Sequence, residues 1–149
     1  MNGELGDDVL IETFLGRVTA QECDHLGHMN VQFYISKVSD AAWNVMSSIG
    51  ITPTYIRERK RAPAAVGQEI AYLKELKAGD LVRIESGVLA IEAKKITFFH
   101  RMRNVETDEV VMTSKVMTVN MDLDTRRSAL IDDDILERAR ARLVSELTS

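Results

Sequence analysis

The sequence predicts an α+β fold, one long helix packed on a curved antiparallel sheet, and three observations predict it. Apolar residues recur at spacings of three and four from Val31 to Ile49. Four extended segments then follow one another, with only short polar links between them, and short links favour antiparallel neighbours. A second, more charged amphipathic segment closes the chain.

Taken in order, residues 1–8 (MNGELGDD) are polar and read as a frayed tail. IETFLGRV, residues 11–18, is rich in β-branched and aromatic residues and reads as a first strand. In the long helix Val31, Tyr34, Ile35, Val38, Ala41, Ala42, Val45, Met46 and Ile49 form one stripe, with Gln32, Lys37, Asp40 and Asn44 opposite. Asn30 is placed to cap its start and Gly50 its end. The stretch 51–63 (ITPTYIRERKRAP) reads as a short helical turn or loop. Strands are expected over 65–76, 81–91, 94–104 and 109–123. Alternation is clear in Val82, Ile84, Ser86, Val88 and Ala90, and in Ile96, Phe98, His100 and Met102. The last helix is expected over 132–147, with Ile135, Leu136, Ala139, Leu143 and Leu147 on one side. Asp132–Asp134 lie at its N-terminal end, where the helix dipole favours negative charge.

A chain of 149 residues fits one domain, and its 45% hydrophobic content can fill a core without staples. A net charge of −4 argues against a general nucleic-acid binder. The single cysteine, Cys23, excludes an internal disulfide and favours a reducing compartment. Neither a secretory leader nor an apolar run of membrane length is visible, so the expectation is a cytoplasmic protein that does not engage membranes.

The chemistry concentrates in 24-DHLGHMNVQFY-34. Capping a helix needs one side chain, and this segment offers several more polar groups. Backbone N–H groups at a helix start, carrying part of the dipole's positive charge, suit an oxygen that gains charge during a reaction. The same field would keep Asp24 ionised, and Gly27 would allow a close approach or an unusual backbone conformation.

The pattern Asp24-x-x-Gly27-His28-Met29-Asn30-Val31-x-x-Tyr34 resembles the signature of hotdog-fold thioesterases of the 4-hydroxybenzoyl-CoA thioesterase family. Plant acyl-ACP thioesterases are similar in the spacing of Asp24, His28 and Asn30. Tyr72-Leu73-Lys74-Glu75-Leu76 leading to Gly79-Asp80 is similar to a strand and turn of the family. The resemblance implies a helix wrapped by the sheet and a homodimer with active sites between subunits, with tetramers formed by pairing dimers. It implies hydrolysis of an acyl-CoA, or an acyl-ACP, without metal or cofactor. Asp24 matches the catalytic acid, as nucleophile or as general base for water. His28 and Asn30 would orient the acid, the water or the carbonyl. Gly27, Val31 and Tyr34 would contact substrate, and Arg59 and Arg61 are candidates for the CoA phosphates, with Arg101, Arg103, Lys94 and Lys95 as rivals.

Blander readings exist for each feature. Asp24 could be a turn residue, Asn30 only a cap, Tyr34 only core, and Arg57–Arg61 a solvated face. Cys23, Asp24, His25 and His28 are metal-ligand types, but structural zinc usually draws on a second cluster. Asp40 and Glu69 are carboxylates of the kind that other hotdog branches use from helix or strand, but Asp40 falls on the polar side of the stripe and both read as structural. Two rival functions share the fold: a hydratase or dehydratase on enoyl or hydroxyacyl thioesters, and a non-catalytic thioester binder. The acyl group itself is not legible.

Overall fold

A computed structural model describes residues 9–144; the expected tail at 1–8 and Leu147 lie outside the described residues. Strand β1 (Ile11–Arg17) leads through a 3₁₀ turn (Ala20–Glu22) to helix α1 (Val31–Ser48). Helix α2 (Pro53–Arg59) precedes strands β2 (Arg61–Tyr72), β3 (Leu81–Ile91), β4 (Lys95–Asn104) and β5 (Val110–Asp122), and helix α3 (Asp133–Arg140) follows. All strand pairs are antiparallel, in the order β1-β3-β4-β5-β2.

The stripe on α1 explains its seat on the sheet. Tyr34, Val38, Ala41, Val45 and Met46 are buried there. Asn30 caps the helix by accepting the Gln32 N–H at 3.1 Å, and Gly50 leaves it at φ +97°. The stripe is wider than the contact, however. Ile35 and Ala42, joined by Trp43, instead border a groove with Pro63, Ala65 and Gln68 of β2. Two buried clusters result. One joins the first half of α1 to Val82, Ile84, Met102 and Met112; the other joins its second half to Phe98, Ile131 and Ile135.

Several boundaries differ from expectation. β2 starts at Arg61, not 65, because it is an edge strand in which the missing N–H of Pro63 is tolerated. It ends at Tyr72, not 76, since the Leu73 and Lys74 N–H groups both turn to the Val111 carbonyl. α3 stops at Arg140, and the chain then joins the edge of β3: Val88 N–H donates to Arg142 O, and Val144 N–H to Val88 O. Ala90 points outward because the register of β3 and β4 shifts between Val88 and Ala90. Lys37, expected on the polar face, is buried. Among the described residues no helix is long and apolar enough to cross a membrane.

One buried polar line crosses the core face of the sheet. Thr13 Oγ1 lies 2.7 Å from Ser86 Oγ, which lies 2.6 Å from His100 Nδ1. His100 is fully buried and its Nε2 has no hydrogen-bond partner. Burial pushes this imidazole down to about 4. In the unfolded chain it titrates near 6.5, so below that pH the unfolded state takes up a proton that the native state refuses. Stability from this group is therefore complete above pH 6.5 and falls with acidification, by about 2 kcal/mol at pH 5. Urea unfolding at pH 7.5 and 5.0 checks this: His100→Asn should flatten the pH dependence, and an unchanged slope would refute it.

Candidate active site

After β1 the chain makes a closed loop that sets the motif against the start of α1. Cys23 and Met29 bridge in antiparallel fashion, and Asp24 N–H donates to His28 O at 3.1 Å. Gly27 N–H returns to Asp24 O at 2.9 Å with φ at +92°, a conformation that favours glycine. Nothing lies within 4 Å of where a Gly27 side chain would begin, so the conformation, not a crowded neighbour, is what needs glycine there. Two anchors hold the loop: Met29 N–H donates to Leu76 O at 2.7 Å and Asn30 N–H to Glu22 O at 2.8 Å.

Asp24 and Asn30 meet directly. The Asn30 Nδ2 amide donates to Asp24 Oδ2 at 3.0 Å, and Leu26 N–H donates to Oδ1 at 2.9 Å. These two donors, the amide first, hold the Asp24 carboxyl below the usual carboxylate range. The other end of Asn30, its Oδ1, caps the helix. Phe33 N–H is taken by the Asn30 carbonyl, whereas Val31 N–H has no acceptor among the described residues. A polarised donor is thus available at the first residue of α1.

Beside it opens a cavity of about 520 Å³. One wall is His28, Met29, Val31 and Tyr34; the other is Tyr72, Leu73, Lys74 and Glu75, where the chain leaves β2. His28 Nε2 lies 3.3 Å from Glu75 Oε2, and the Tyr34 hydroxyl donates to the Lys74 carbonyl at 3.2 Å. Asp24, Gly27 and Asn30 belong to the loop that leads into this wall rather than to the wall itself.

Arg59 and Arg61 are not brought to the motif within one chain. Arg61 begins β2 and Tyr72 ends it, roughly 36 Å away for a strand of this length. Arg61 pairs with Asp122 at 2.9 Å; Arg59 pairs with Asp132 at 2.9 Å and Asp134 at 3.1 Å, and lies over the Tyr55 ring. Asp40 lines a different cavity with Trp43 and Asn44, and Glu69 is exposed on β2. Cys23 Sγ faces the Thr19 carbonyl, and among the described residues no three His, Cys, Asp or Glu side chains converge on a metal-sized space.

Three contributors escape a reading of the sequence. Tyr72 and Glu75 reach the site only through strand register, which spacing along the chain does not reveal. Lys37, paired with Glu22 at 2.9 Å beneath the loop, did leave a signal. It sits three residues after Tyr34 and four before Ala41, on the buried side of the helix.

Residues 18–139 match a family described as "Thioesterase-like superfamily". An L-carnitine dehydrogenase/betainyl-CoA thioesterase of Rhizobium sp is 24% identical over 93% of this chain. The chain spans 28% of that relative's length, and about a quarter of the next relatives of the same name. A betainyl-CoA thioesterase of Pseudomonas aeruginosa is 23% identical over 89% of this chain and 83% of its own. Among solved structures, a 4-hydroxybenzoyl CoA thioesterase mutant complexed with 4-hydroxybenzoyl CoA superposes with a TM-score of 0.79. It shares 17% identity, over 87% of this chain and 98% of that one, and the likeness establishes the hotdog fold.

Proposed function

The chain belongs to the thioesterase-like superfamily, and we propose that it hydrolyses an acyl-CoA to a free acid and CoA. One observation carries the mechanism: an ionised Asp24 accepts from the Asn30 amide in the loop that leads into α1, whose Val31 N–H has no acceptor among the described residues.

In this reading the Val31 N–H donates to the thioester oxygen as negative charge grows on it. Asp24 acts by one of two routes. As nucleophile it attacks the carbonyl carbon, the C–S bond breaks, and water then hydrolyses the mixed anhydride, restoring the carboxylate. As general base it takes a proton from a water whose oxygen attacks instead. In either route CoA departs as the thiolate and takes up a proton. Asn30 fixes the Asp24 carboxylate, and His28, held by Glu75, orients the carbonyl or the water from the cavity wall.

The reading extends to a homodimer paired along β2, whose outer edge is open and carries the exposed Val66, Tyr72 and Leu73 beside it. Antiparallel pairing of two such edges about an axis near Val66 sets the start of one strand opposite the end of the other. Arg61, with Arg59 behind it, then approaches the cavity of the other chain, which gives these residues a route to the CoA phosphates. A tetramer would pair two such dimers. The relatives named for betainyl-CoA make a betainyl thioester the first acyl group to try.

The test is thiol release from a panel of acyl-CoAs, betainyl, short, branched, long and aromatic, with the free acid identified by mass spectrometry. Thiol and acid appearing together, well above spontaneous hydrolysis, is the expected result. Loss of enoyl absorbance with the thioester intact would favour a hydratase instead, and saturable binding without turnover would favour a binding protein.

A further inference from the structure

The cavity beside Val31 is furnished for a compact cation. The Tyr34 and Tyr72 rings stand at 79° to each other with centroids 5.2 Å apart, the edge of one against the face of the other, and this aromatic corner belongs to the cavity wall. The corner is held from both sides. Tyr34 is buried and tied through its hydroxyl to the Lys74 carbonyl, and Tyr72, exposed at the end of β2, lines the cavity. A carboxylate belongs to the same wall: Glu75, largely exposed, faces His28. The one fixed positive charge in the lining, the Lys74 ammonium, faces Glu109 at 3.7 Å. Aromatic faces attract a cation through their quadrupoles, most strongly where water is excluded, and a nearby carboxylate adds to that attraction.

Position along α1 sets the distance from the reacting carbonyl. Tyr34 follows Val31 by three residues, which makes the two neighbours on the helix surface. An acyl group whose carbonyl oxygen accepts from Val31 N–H therefore has the corner only one helical turn away. A cation on the carbon next to the carbonyl falls within that reach; one at the end of a long chain does not.

We propose that Tyr34, Tyr72 and Glu75 form a recognition corner for an acyl group carrying a quaternary ammonium next to its thioester carbonyl. The proposal rests on the thioesterase reading and assigns its specificity to residues outside the motif. Charge recognition is separated from shape by comparing betainyl-CoA with 3,3-dimethylbutanoyl-CoA, its neutral isostere, each rate being taken relative to spontaneous hydrolysis because the ammonium also activates the carbonyl. The wild type should prefer the cationic substrate by about tenfold or more in kcat/KM. Tyr72→Leu and Glu75→Gln should each lower that preference several-fold, while Tyr72→Phe, which keeps the π face, should retain it. Neither side chain is buried within the protomer, so these substitutions leave its core untouched. Hydrolysis of both isosteres at similar rates, or a preference that survives Tyr72→Leu and Glu75→Gln, would overturn the corner and leave the thioesterase standing. Release of thiol from no acyl-CoA at all would overturn the thioesterase reading and the corner with it.

Discussion

Asp24→Asn is expected to lower kcat for thiol release by roughly 10²- to 10⁴-fold, the range for removing a positioned acid or base, with KM little changed. The substitution keeps the size of the side chain and removes its charge, which both routes require. It also keeps part of the local structure. An amide oxygen at position 24 can still accept the Leu26 N–H, so the turn closes as before. The second atom becomes a donor facing the Asn30 amide, and that contact is lost. A single lost hydrogen bond is worth about 1 kcal/mol, far too little to unfold the chain. Steady-state thiol release and thermal unfolding, measured together, give the answer. A folded Asp24→Asn protein that turns over at the wild-type rate would remove Asp24 from the chemistry and leave it as the turn residue that its two hydrogen bonds already make it.

Lys37→Ala is the substitution expected to cost most in stability, about 3 kcal/mol, at the low end for breaking a buried ion pair because Glu22 keeps some contact with water. Burial pushes the Glu22 carboxyl up, but the Lys37 hydrogen bond, the Thr19 N–H and the Lys37 charge together outweigh it and hold the carboxyl low. Without Lys37 the opposing terms go and the desolvation penalty stays. The loss also reaches the site, since the carbonyl of the same Glu22 accepts the Asn30 N–H. Replacing both members with methionine should recover part of the stability, because two apolar groups leave no stranded charge. Urea midpoints of the two singles and the double decide it. A loss below about 1 kcal/mol for Lys37→Ala would mean that the pair behaves as a solvated surface contact.

Features carried by local spacing are the ones that could be read from the chain. The period of α1, its Asn30 and Gly50 caps, and the alternation that bounds β3 at Leu81 and Ile91 all act within a few residues of themselves. The motif was legible for the same reason: Asp24, Gly27 and Asn30 bond to one another and to residues of the same short stretch of chain, from Glu22 to Phe33. What local spacing does not carry is which strand lies next to which. The strand read from residue 65 begins instead at Arg61, because an edge strand tolerates Pro63. The basic run ending at Arg61 lies near the motif in sequence, yet the full length of β2 separates it from the cavity. Tyr72 and Glu75 are the reverse case, 38 and 41 residues beyond the last residue of the motif and facing it across the cavity.

The two anchors of the motif loop have a consequence for how such a site can change over time. Met29 is tied to Leu76 and Asn30 to Glu22 through main-chain atoms alone, so the fixings do not depend on which side chains stand at those four positions. The loop is a short span pinned at its far end. His25 and Leu26 can be exchanged, and the groups around Asp24 retuned, while Gly27 keeps the turn and the start of the helix keeps its place. A catalytic apparatus suspended from backbone in this way can diversify its chemistry without renegotiating its architecture.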